Sequence, residues 1–256
     1  MKRVVLLIAV CLISGTLYAA NSPFVGQWKL DPSRTRLIDV MKVEHVSGDT
    51  YAFDFGGGAE TIAVNGKDQL GGGGTTLAVM AKGPESWKVV RKKDGRIVIT
   101  AIWRLSKDGK TLTDAFTQIG SRGSASTINY VYQRTAGDSG FAGTWKSTSM
   151  STNSALLLTI QPYEKDGLSF IDAWQEVTKN LNFDGREYPM IGPNVPPGLA
   201  ASARRIDEHA LEITFAFKGR TVATEQVQLS VDGKKLTLTV RTPGGREPNI
   251  YVYKRQ

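Results

Sequence analysis

The chain has 256 residues, of which 41% are hydrophobic and 22% charged, with 27 glycines, 10 prolines and a single cysteine. This is the composition of a globular protein, and it excludes both a disordered chain and a collagen-like one. The formal net charge is +8, but the charges are scattered singly, which indicates a solvated surface and not a nucleic-acid-binding stripe.

The first twenty residues have the plan of a secretory signal peptide. Two basic residues precede ten apolar ones, 4–13, and the segment ends in small residues. Ten apolar residues are too few to cross a bilayer, so we expect no transmembrane segment in the mature chain. Residues 1–20 are therefore predicted to be a leader that is cleaved after Ala19 or Ala20, which places the protein in the periplasm or outside the cell.

The single cysteine, Cys11, lies inside the predicted leader. A lipid-modified cysteine is disfavoured because Val10 stands where a small residue is expected. The mature chain then has no cysteine and no disulfide, and its net charge falls to +6 because Lys2 and Arg3 are lost.

The remaining sequence is a tandem duplication. Residues 24–29 (FVGQWK) recur as residues 141–146 (FAGTWK), and residues 105–113 (LSKDGKTLT) return as residues 229–237 (LSVDGKKLT). Each copy also closes on the pattern YVYxR. A fourth pair, residues 65–68 (NGKD) and 184–187 (DGRE), lies between the first two marks, and four marks in the same order are not expected by chance.

The duplication predicts two domains. We place the first repeat at 21–136, a linker of small and polar residues at 137–140, and the second repeat at 141–256. Each repeat is long enough to hold a core, so we expect two barrels that fold and unfold separately. One continuous shared sheet is the structural alternative.

Within each repeat the apolar residues alternate with polar ones, which is the period of a half-buried strand. Asp-Gly and Asn-Gly pairs occur between these segments and predict tight hairpins. No long amphipathic helix interrupts them. We predict an all-β protein with about eight or nine short strands in each repeat, closed into antiparallel up-and-down barrels. Two runs illustrate the alternation: Ile97, Ile99, Ala101 and Trp103, and Leu211, Ile213, Phe215 and Phe217.

The Gly-x-Trp motif at Gly26-x-Trp28 and Gly143-x-Trp145 resembles the opening of lipocalins and of the wider calycin group. The phrases around residues 184–189 (DGREYP) and 232–234 (DGK) are similar to secreted bacterial lipocalin-like proteins of unassigned function. The resemblance implies an up-and-down barrel with an interior ligand site.

In lipocalins the tryptophan of this motif packs under a basic side chain from late in the fold. The resemblance therefore implies two structural pairs, Trp28 with Arg134 and Trp145 with Arg255. A guanidinium over an indole is worth about 0.5 to 2 kcal/mol.

Catalytic candidates are few. His45 lies on a predicted strand and His209 in a predicted turn, so neither is expected to be a base or a metal ligand. The string at 137–140 (GDSG) is similar to the nucleophile loop of chymotrypsin-like proteases but falls in the linker. An enzyme would need clustered acids or bases, and nothing in the spacing brings the candidates together: Glu60, Glu176 and Asp184.

The function depends on the barrel interior. Bulky residues on faces expected to point inward are able to fill a small barrel completely: Trp103, Phe215, Phe217, Leu156, Leu158 and Ile160. Trp174 and Tyr188, near loops of the second repeat, are predicted to mark an aromatic opening, and Trp103, Phe215 and Phe217 are the further candidate ligand contacts.

Three functions follow as hypotheses. The first is a non-catalytic binding protein for a small apolar or amphipathic molecule, without a cofactor or a metal. The second is a packed-core structural or protein-interaction module of the cell envelope, with an envelope protein or an anionic surface polymer as partner. The third is an enzyme with an unrecognised acid or base site. A cavity of about 300 Å³ or more would separate the first hypothesis from the second.

Overall fold

A computed structural model describes residues 22–137, 139–245 and 247–256. The predicted leader with its cleavage point lies outside the described residues, as does Asp138 of the predicted linker. The regular secondary structure of the described residues consists of β-strands and one short 3-10 turn at Gly72–Gly74. In chain order the described strands are β1 Gly26–Leu30, β2 Val40–Ser47, β3 Thr50–Asp54, β4 Ala59–Ala63, β5 Gln69–Leu70, β6 Thr75–Gly83, β7 Ser86–Lys93, β8 Arg96–Leu105, β9 Thr111–Ile119, β10 Ala125–Ala136, β11 Gly143–Thr152, β12 Leu157–Tyr163, β13 Gly167–Asp172, β14 Val177–Leu181, β15 Tyr188–Pro189, β16 Leu199–Arg205, β17 Ala210–Phe217, β18 Arg220–Leu229, β19 Lys235–Arg241 and β20 Asn249–Arg255.

The predicted hairpins form where Asp-Gly pairs stand between alternating runs. Gly109 and Gly233 both have φ of 67°, a conformation that glycine adopts without steric cost. In each turn the preceding aspartate accepts a hydrogen bond from a serine hydroxyl two residues before it, at 2.6 Å for both Asp108 and Asp232. The two repeats thus build equivalent turns from equivalent residues.

The strands form two antiparallel sheets, which confirms the all-β, up-and-down prediction. One sheet has the order β4-β3-β2-β11-β10-β9-β8-β7-β6-β5, and the other has the order β14-β13-β12-β1-β20-β19-β18-β17-β16-β15. Both curl into nearly closed barrels, which we call the first and the second barrel. Each contains ten strands, more than expected from the sequence, because the two-residue strands β5 and β15 also pair.

Each barrel has a seam where its two edge strands meet, β4 and β5 in the first and β14 and β15 in the second. A side chain narrows the first seam and an isolated β-bridge narrows the second. In the first barrel the Gln69 side chain acts like a short strand, because its amide accepts from the Ala63 backbone N–H at 2.9 Å and donates to the Ala63 carbonyl at 2.8 Å. In the second barrel Thr178 and Ile191 exchange two backbone hydrogen bonds of 2.8 and 3.0 Å. These contacts occupy backbone groups that an open edge would expose.

The first strand of each repeat is exchanged between the barrels. β1 lies in the second barrel between β20 and β12, whereas β11 lies in the first barrel between β10 and β2. The boundaries expected from the repeats, 21–136 and 141–256, therefore do not coincide with the barrels. Neither repeat holds a complete barrel of its own, so separate unfolding of the repeats does not follow from this topology.

The exchange also corrects the expected tryptophan–arginine pairs. Each indole does lie under a guanidinium at 4.2 Å, but the pairs are Trp28 with Arg255 and Trp145 with Arg134. The expected pairing was wrong because each Gly-x-Trp strand adds to the sheet that ends with the other repeat's arginine. In both cases tryptophan and arginine are direct cross-strand partners.

The glycine of each Gly-x-Trp motif makes room for the arginine. A Cβ atom on Gly26 would lie 2.7 Å from Arg255 Nη1, and one on Gly143 would lie 2.8 Å from Arg134 Nη1. The Arg255 guanidinium also donates to the carbonyls of Val25 and Gly233, each at 2.7 Å. The motif therefore positions the first strand under an arginine that holds the surrounding backbone.

The barrels also contact each other through the segment between β1 and β2. Arg36 and Ile250 exchange backbone hydrogen bonds of 2.7 and 2.8 Å, and the Ile38 N–H donates to Asn249 Oδ1 at 2.6 Å. The Ser147 hydroxyl on β11 donates to the Leu37 carbonyl at 2.6 Å. This crossover segment, residues 31–39, passes from the second barrel to the first and lies beside the mouth of the cavity described next.

Candidate ligand-binding cavity

The first barrel contains an open cavity of about 410 Å³. Aliphatic side chains on β6, β7 and β8 form part of its wall, including Leu77, Val89 and Ala101. The rest is largely aromatic. The aromatic lining residues are Phe55, Trp103, Phe116, Tyr130, Tyr132, Trp174 and Tyr251.

The second barrel completes the cavity. Trp174, in the turn between β13 and β14, and Tyr251, on β20, both reach its wall, together with crossover residues 37–39. The Trp174 carbonyl accepts a hydrogen bond of 3.2 Å from the Gln118 amide on β9, which fixes this turn against the first barrel. Phe55 also lines the cavity, is 40% exposed and marks where the wall meets solvent.

An acidic residue stands in the middle of an aromatic row on the cavity wall. Asp114 on β9 is the direct cross-strand partner of Trp103 on β8 and of Tyr130 on β10. Directly opposite side chains in antiparallel strands lie about 4.5 to 5.5 Å apart at their Cβ atoms, so these three share one face.

Asp114 is only 7% exposed, and its burial raises the pKa of its carboxyl to about 7. The Trp103 indole N–H opposes this rise, and the negative charge of Asp39 adds to it. Within the described part of the chain, neither Asp114 Oδ1 nor Trp103 Nε1 has a hydrogen-bond partner of acceptable geometry. Such buried polar atoms are uncommon in folded proteins and each has a cost.

Asp39, at the crossover, is held by a tyrosine. The Tyr132 hydroxyl donates to Asp39 Oδ2 at 2.6 Å, and burial together with this carboxylate holds the Tyr132 pKa far above its usual value. Burial likewise raises the pKa of Tyr251 to about 12 and that of Tyr130 further. All three tyrosines are neutral hydroxyls at physiological pH.

The basic residue of the cavity wall is already paired. Arg91 Nη2 lies 2.9 Å from Glu60 Oε2, and both side chains are about 15% exposed. Glu60 also accepts a hydrogen bond of 3.0 Å from the Gly72 N–H of the glycine-rich turn. This ion pair joins β4 to β7 across the seam and leaves the charge of Arg91 compensated.

The interior of the second barrel is smaller. It holds a cavity of about 160 Å³ with a buried ion pair, Lys179 Nζ to Glu225 Oε1 at 2.8 Å. Lys179 also lies 5.2 Å from the ring centres of both Phe170 and Phe215. Burial raises the pKa of the nearby Asp172 carboxyl. This interior has less than half the volume of the first.

The structure brings together only two of the predicted ligand contacts. Trp103 and Trp174 line the large cavity, whereas Phe215 lines the small one. Tyr188 lies at the seam of the second barrel, where its hydroxyl donates to Asp184 at 2.9 Å. Phe217 is 37% exposed, because a bulge between Phe215 and Ala216 reverses the alternation and turns Ala216 inward.

The other residues predicted to fill the interior, Leu156, Leu158 and Ile160, are buried in the core of the second barrel. They do not fill the first barrel, whose cavity remains. Sequence reasoning missed Asp114 and Asp39. The available signal was the β9 alternation, which places Asp114 on the same face as Leu112 and Phe116.

The candidate catalytic residues are dispersed. His45 Nε2 lies 2.9 Å from the Gly48 carbonyl in a hairpin, and the His209 N–H donates to Asp207 in a turn. Glu176 accepts hydrogen bonds from the Ser121 N–H, whereas Glu60 forms its ion pair with Arg91, so the two acids have different partners. Among the described residues no group of three or more histidine, cysteine or acidic side chains is placed to hold a metal ion.

Fold and cavity together define a protein of two antiparallel up-and-down barrels, one of which has a lined interior. No protein-family model matches the chain, and no curated protein matches it. In the described part of the chain no helix has the length and hydropathy needed to span a bilayer.

Proposed function

We propose that this protein is a non-catalytic, lipocalin-like binding protein for a small apolar or amphipathic molecule. The observation that carries the proposal is the cavity of about 410 Å³ in the first barrel. Ligand sites in proteins occupy about 300 to 1,000 Å³ and combine apolar walls with a few polar groups, as this one does.

The buried polar groups also support a binding role. A packed-core module gains nothing from Asp114, whose burial opposes its ionisation, or from the indole N–H groups of Trp103 and Trp174, which find no hydrogen-bond partner within the described residues. A ligand in the cavity is able to satisfy such groups, and this offsets the cost of leaving them buried.

The alternative is a packed-core structural or protein-interaction module of the envelope. The second barrel favours it, because its interior is lined by a buried ion pair and holds only about 160 Å³. The two barrels therefore have different roles in this proposal: the first binds the ligand, and the second closes the first through Trp174 and Tyr251.

The proposed place of action is the periplasm or the exterior of the cell, with residues 1–20 acting as an export signal. The order of charged, apolar and small residues in that segment supports it.

A fluorescence titration with N-phenyl-1-naphthylamine, an apolar dye, tests the binding function. Wild-type protein is expected to bind one dye per chain. Ala101, on β8, is 4% exposed and lines the cavity, so Ala101→Phe should occupy the space and weaken dye binding by about tenfold or more.

The matched control is Ala81→Phe, which adds the same ring to an exposed position on β6 of the same barrel. It should leave dye binding unchanged. Circular dichroism establishes that both variants are folded. Equal dye binding by both variants would place the dye outside the cavity, and no binding by the wild type would favour the packed-core alternative.

A further inference from the structure

We propose that the first-barrel cavity selects a protonated amine, whose ammonium group pairs with the Asp114 carboxylate while its apolar part lies among the aromatic rings. This inference rests on the proposed binding function and names its ligand class. It follows from three properties of the cavity: a buried carboxyl with an oxygen atom that lacks a hydrogen-bond partner in the described residues, an acidic charge balance and an aromatic wall.

The first property is the position of Asp114. Its side chain lies on the cavity wall between Trp103 and Tyr130, is 93% buried, and has an oxygen atom with no hydrogen-bond partner in the described residues. A carboxylate is an acceptor only, so the group that completes it must be a donor. An ammonium group supplies a charge-assisted hydrogen bond, which is stronger than a neutral one.

The second property is the charge balance. Arg91 is the positively charged group of the lining, and its charge is compensated by Glu60 at 2.9 Å. Two carboxyl groups, Asp39 and Asp114, then remain on the wall. A ligand carboxylate would meet these acids without an uncompensated cation among the described lining residues, whereas an ammonium group is attracted by both.

The third property is the aromatic wall. Trp103 and Tyr130 are the cross-strand partners of Asp114, and Phe116 lies two residues further along β9. All three line the cavity, and Phe55 lies where the wall meets solvent. The faces of aromatic rings attract cations, and such contacts recur in sites for organic ammonium ligands. The same rings provide an apolar environment for a hydrocarbon body. A carboxylate beside several rings thus favours an organic cation over an inorganic one.

The charge state of Asp114 should make amine binding dependent on pH. The groups that share the cavity wall with it are Trp103 on β8, Tyr130 and Tyr132 on β10, Arg91 on β7, Tyr251 on β20, and Asp39 on the crossover. The tyrosines have pKa values of about 12 or above and stay neutral. The Asp114 carboxyl, with a pKa of about 7, ionises across the neutral range.

The test compares three ligands of one length: octylamine, octanol and octanoate. Each is titrated against the full mature chain loaded with N-phenyl-1-naphthylamine, and displacement of the dye is measured at pH 6 and pH 8. Octylamine stays protonated at both pH values, so a change in its affinity reports on the protein. The proposal predicts that octylamine binds about tenfold more tightly than octanol at pH 8.

The affinity for octylamine should also rise about tenfold from pH 6 to pH 8, following the ionised fraction of Asp114, whereas the affinity for octanol should stay level. In Asp114→Asn the preference for the amine and its pH dependence should both disappear, and octanol should bind as before. Asp68→Asn, which removes an exposed acid paired with Lys92, is the control and should behave like the wild type.

The outcomes separate this inference from the proposed function. Tight dye binding with octanol or octanoate equal to or better than octylamine at pH 8 would overturn the amine preference and leave the binding function intact. An amine preference that survives in Asp114→Asn would overturn the assignment of that residue. Failure of the dye itself to bind would remove the binding function and the inference together.

Discussion

Replacement of Asp114 by asparagine should stabilise the protein at alkaline pH. Burial raises the pKa of this carboxyl from 3.8 to about 7, so the folded state disfavours the charged form. Folding carries no ionisation cost while this carboxyl is neutral. Its contribution to the free energy of unfolding is therefore fully present below pH 3.8 and is lost as the pH rises through about 7. Three pKa units correspond to about 4 kcal/mol, of which about 2.5 kcal/mol should be lost between pH 5 and pH 8.

Asparagine keeps the size and polarity of the side chain but cannot ionise. Urea unfolding of Asp114→Asn, followed by tryptophan fluorescence at pH 5, 6.5 and 8, should therefore give a free energy of unfolding that falls less with pH than the wild type. Asp94→Asn, at an exposed hairpin position in the same barrel, should reproduce the wild-type slope. Parallel curves for wild type and Asp114→Asn would refute the reasoning, because they would show that the carboxyl ionises equally in the folded and unfolded states.

Two further predictions concern the exchanged strands. Arg255→Ala should lower the free energy of unfolding by about 2 to 4 kcal/mol, because it removes the cation–π contact with Trp28 and the hydrogen bonds to backbone carbonyls; Arg255→Lys, measured in the same urea titration, should lie between it and the wild type. Gly143→Ala should be more destabilising than Gly83→Ala by about 1 kcal/mol or more in thermal denaturation, although φ is 151° at one and 152° at the other. Only at Gly143 would the new Cβ meet backbone, the Ala136 carbonyl at 2.6 Å, whereas it would meet no atom within 4 Å at Gly83, so equal losses would contradict the steric argument.

The local structure was predictable because it depends on neighbouring residues. Alternation and Asp-Gly turns predicted the β8–β9 hairpin, and the corresponding residues built the equivalent β18–β19 hairpin. The register of such hairpins is set within some twenty residues. The predicted packing of tryptophan under arginine was also right in kind, since both motifs place an indole where a late strand brings a guanidinium.

The exchange of β1 and β11 was not predictable from the motifs. Both strands carry Gly-x-Trp, so either strand is able to place its tryptophan under the arginine of either barrel and to pair with the strands beside it. The choice depends on the crossover, where residues 31–39 pack against Asn249 and Ile250 of the second barrel. Those contacts join distant parts of the chain and leave no periodic signal.

The cavity was predictable only in part. Trp103 follows from alternation on β8 and lines the wall as expected, but Phe217 does not, because one bulge reverses the face of the residues that follow it. The alternation on β9 places Asp114 on the inward face, but a charged side chain is typical of the outward face. Its burial results from the surrounding barrel, and single-residue polarity predicts the opposite.

The strand exchange has a consequence for the order in which the protein folds. The first barrel is built from one continuous stretch of chain, β2 to β11, and is able to close as soon as that stretch is available. The second barrel requires both ends of the chain, since Trp28 on β1 pairs directly with Arg255 on β20. Contacts between such distant residues form slowly, so the pairing of β1 with β20, which joins the two ends of the second barrel's sheet, should be a late step. Until then the strands that are to join, β1 and β20, present open edges, which makes the interval before they pair the stage most exposed to aggregation.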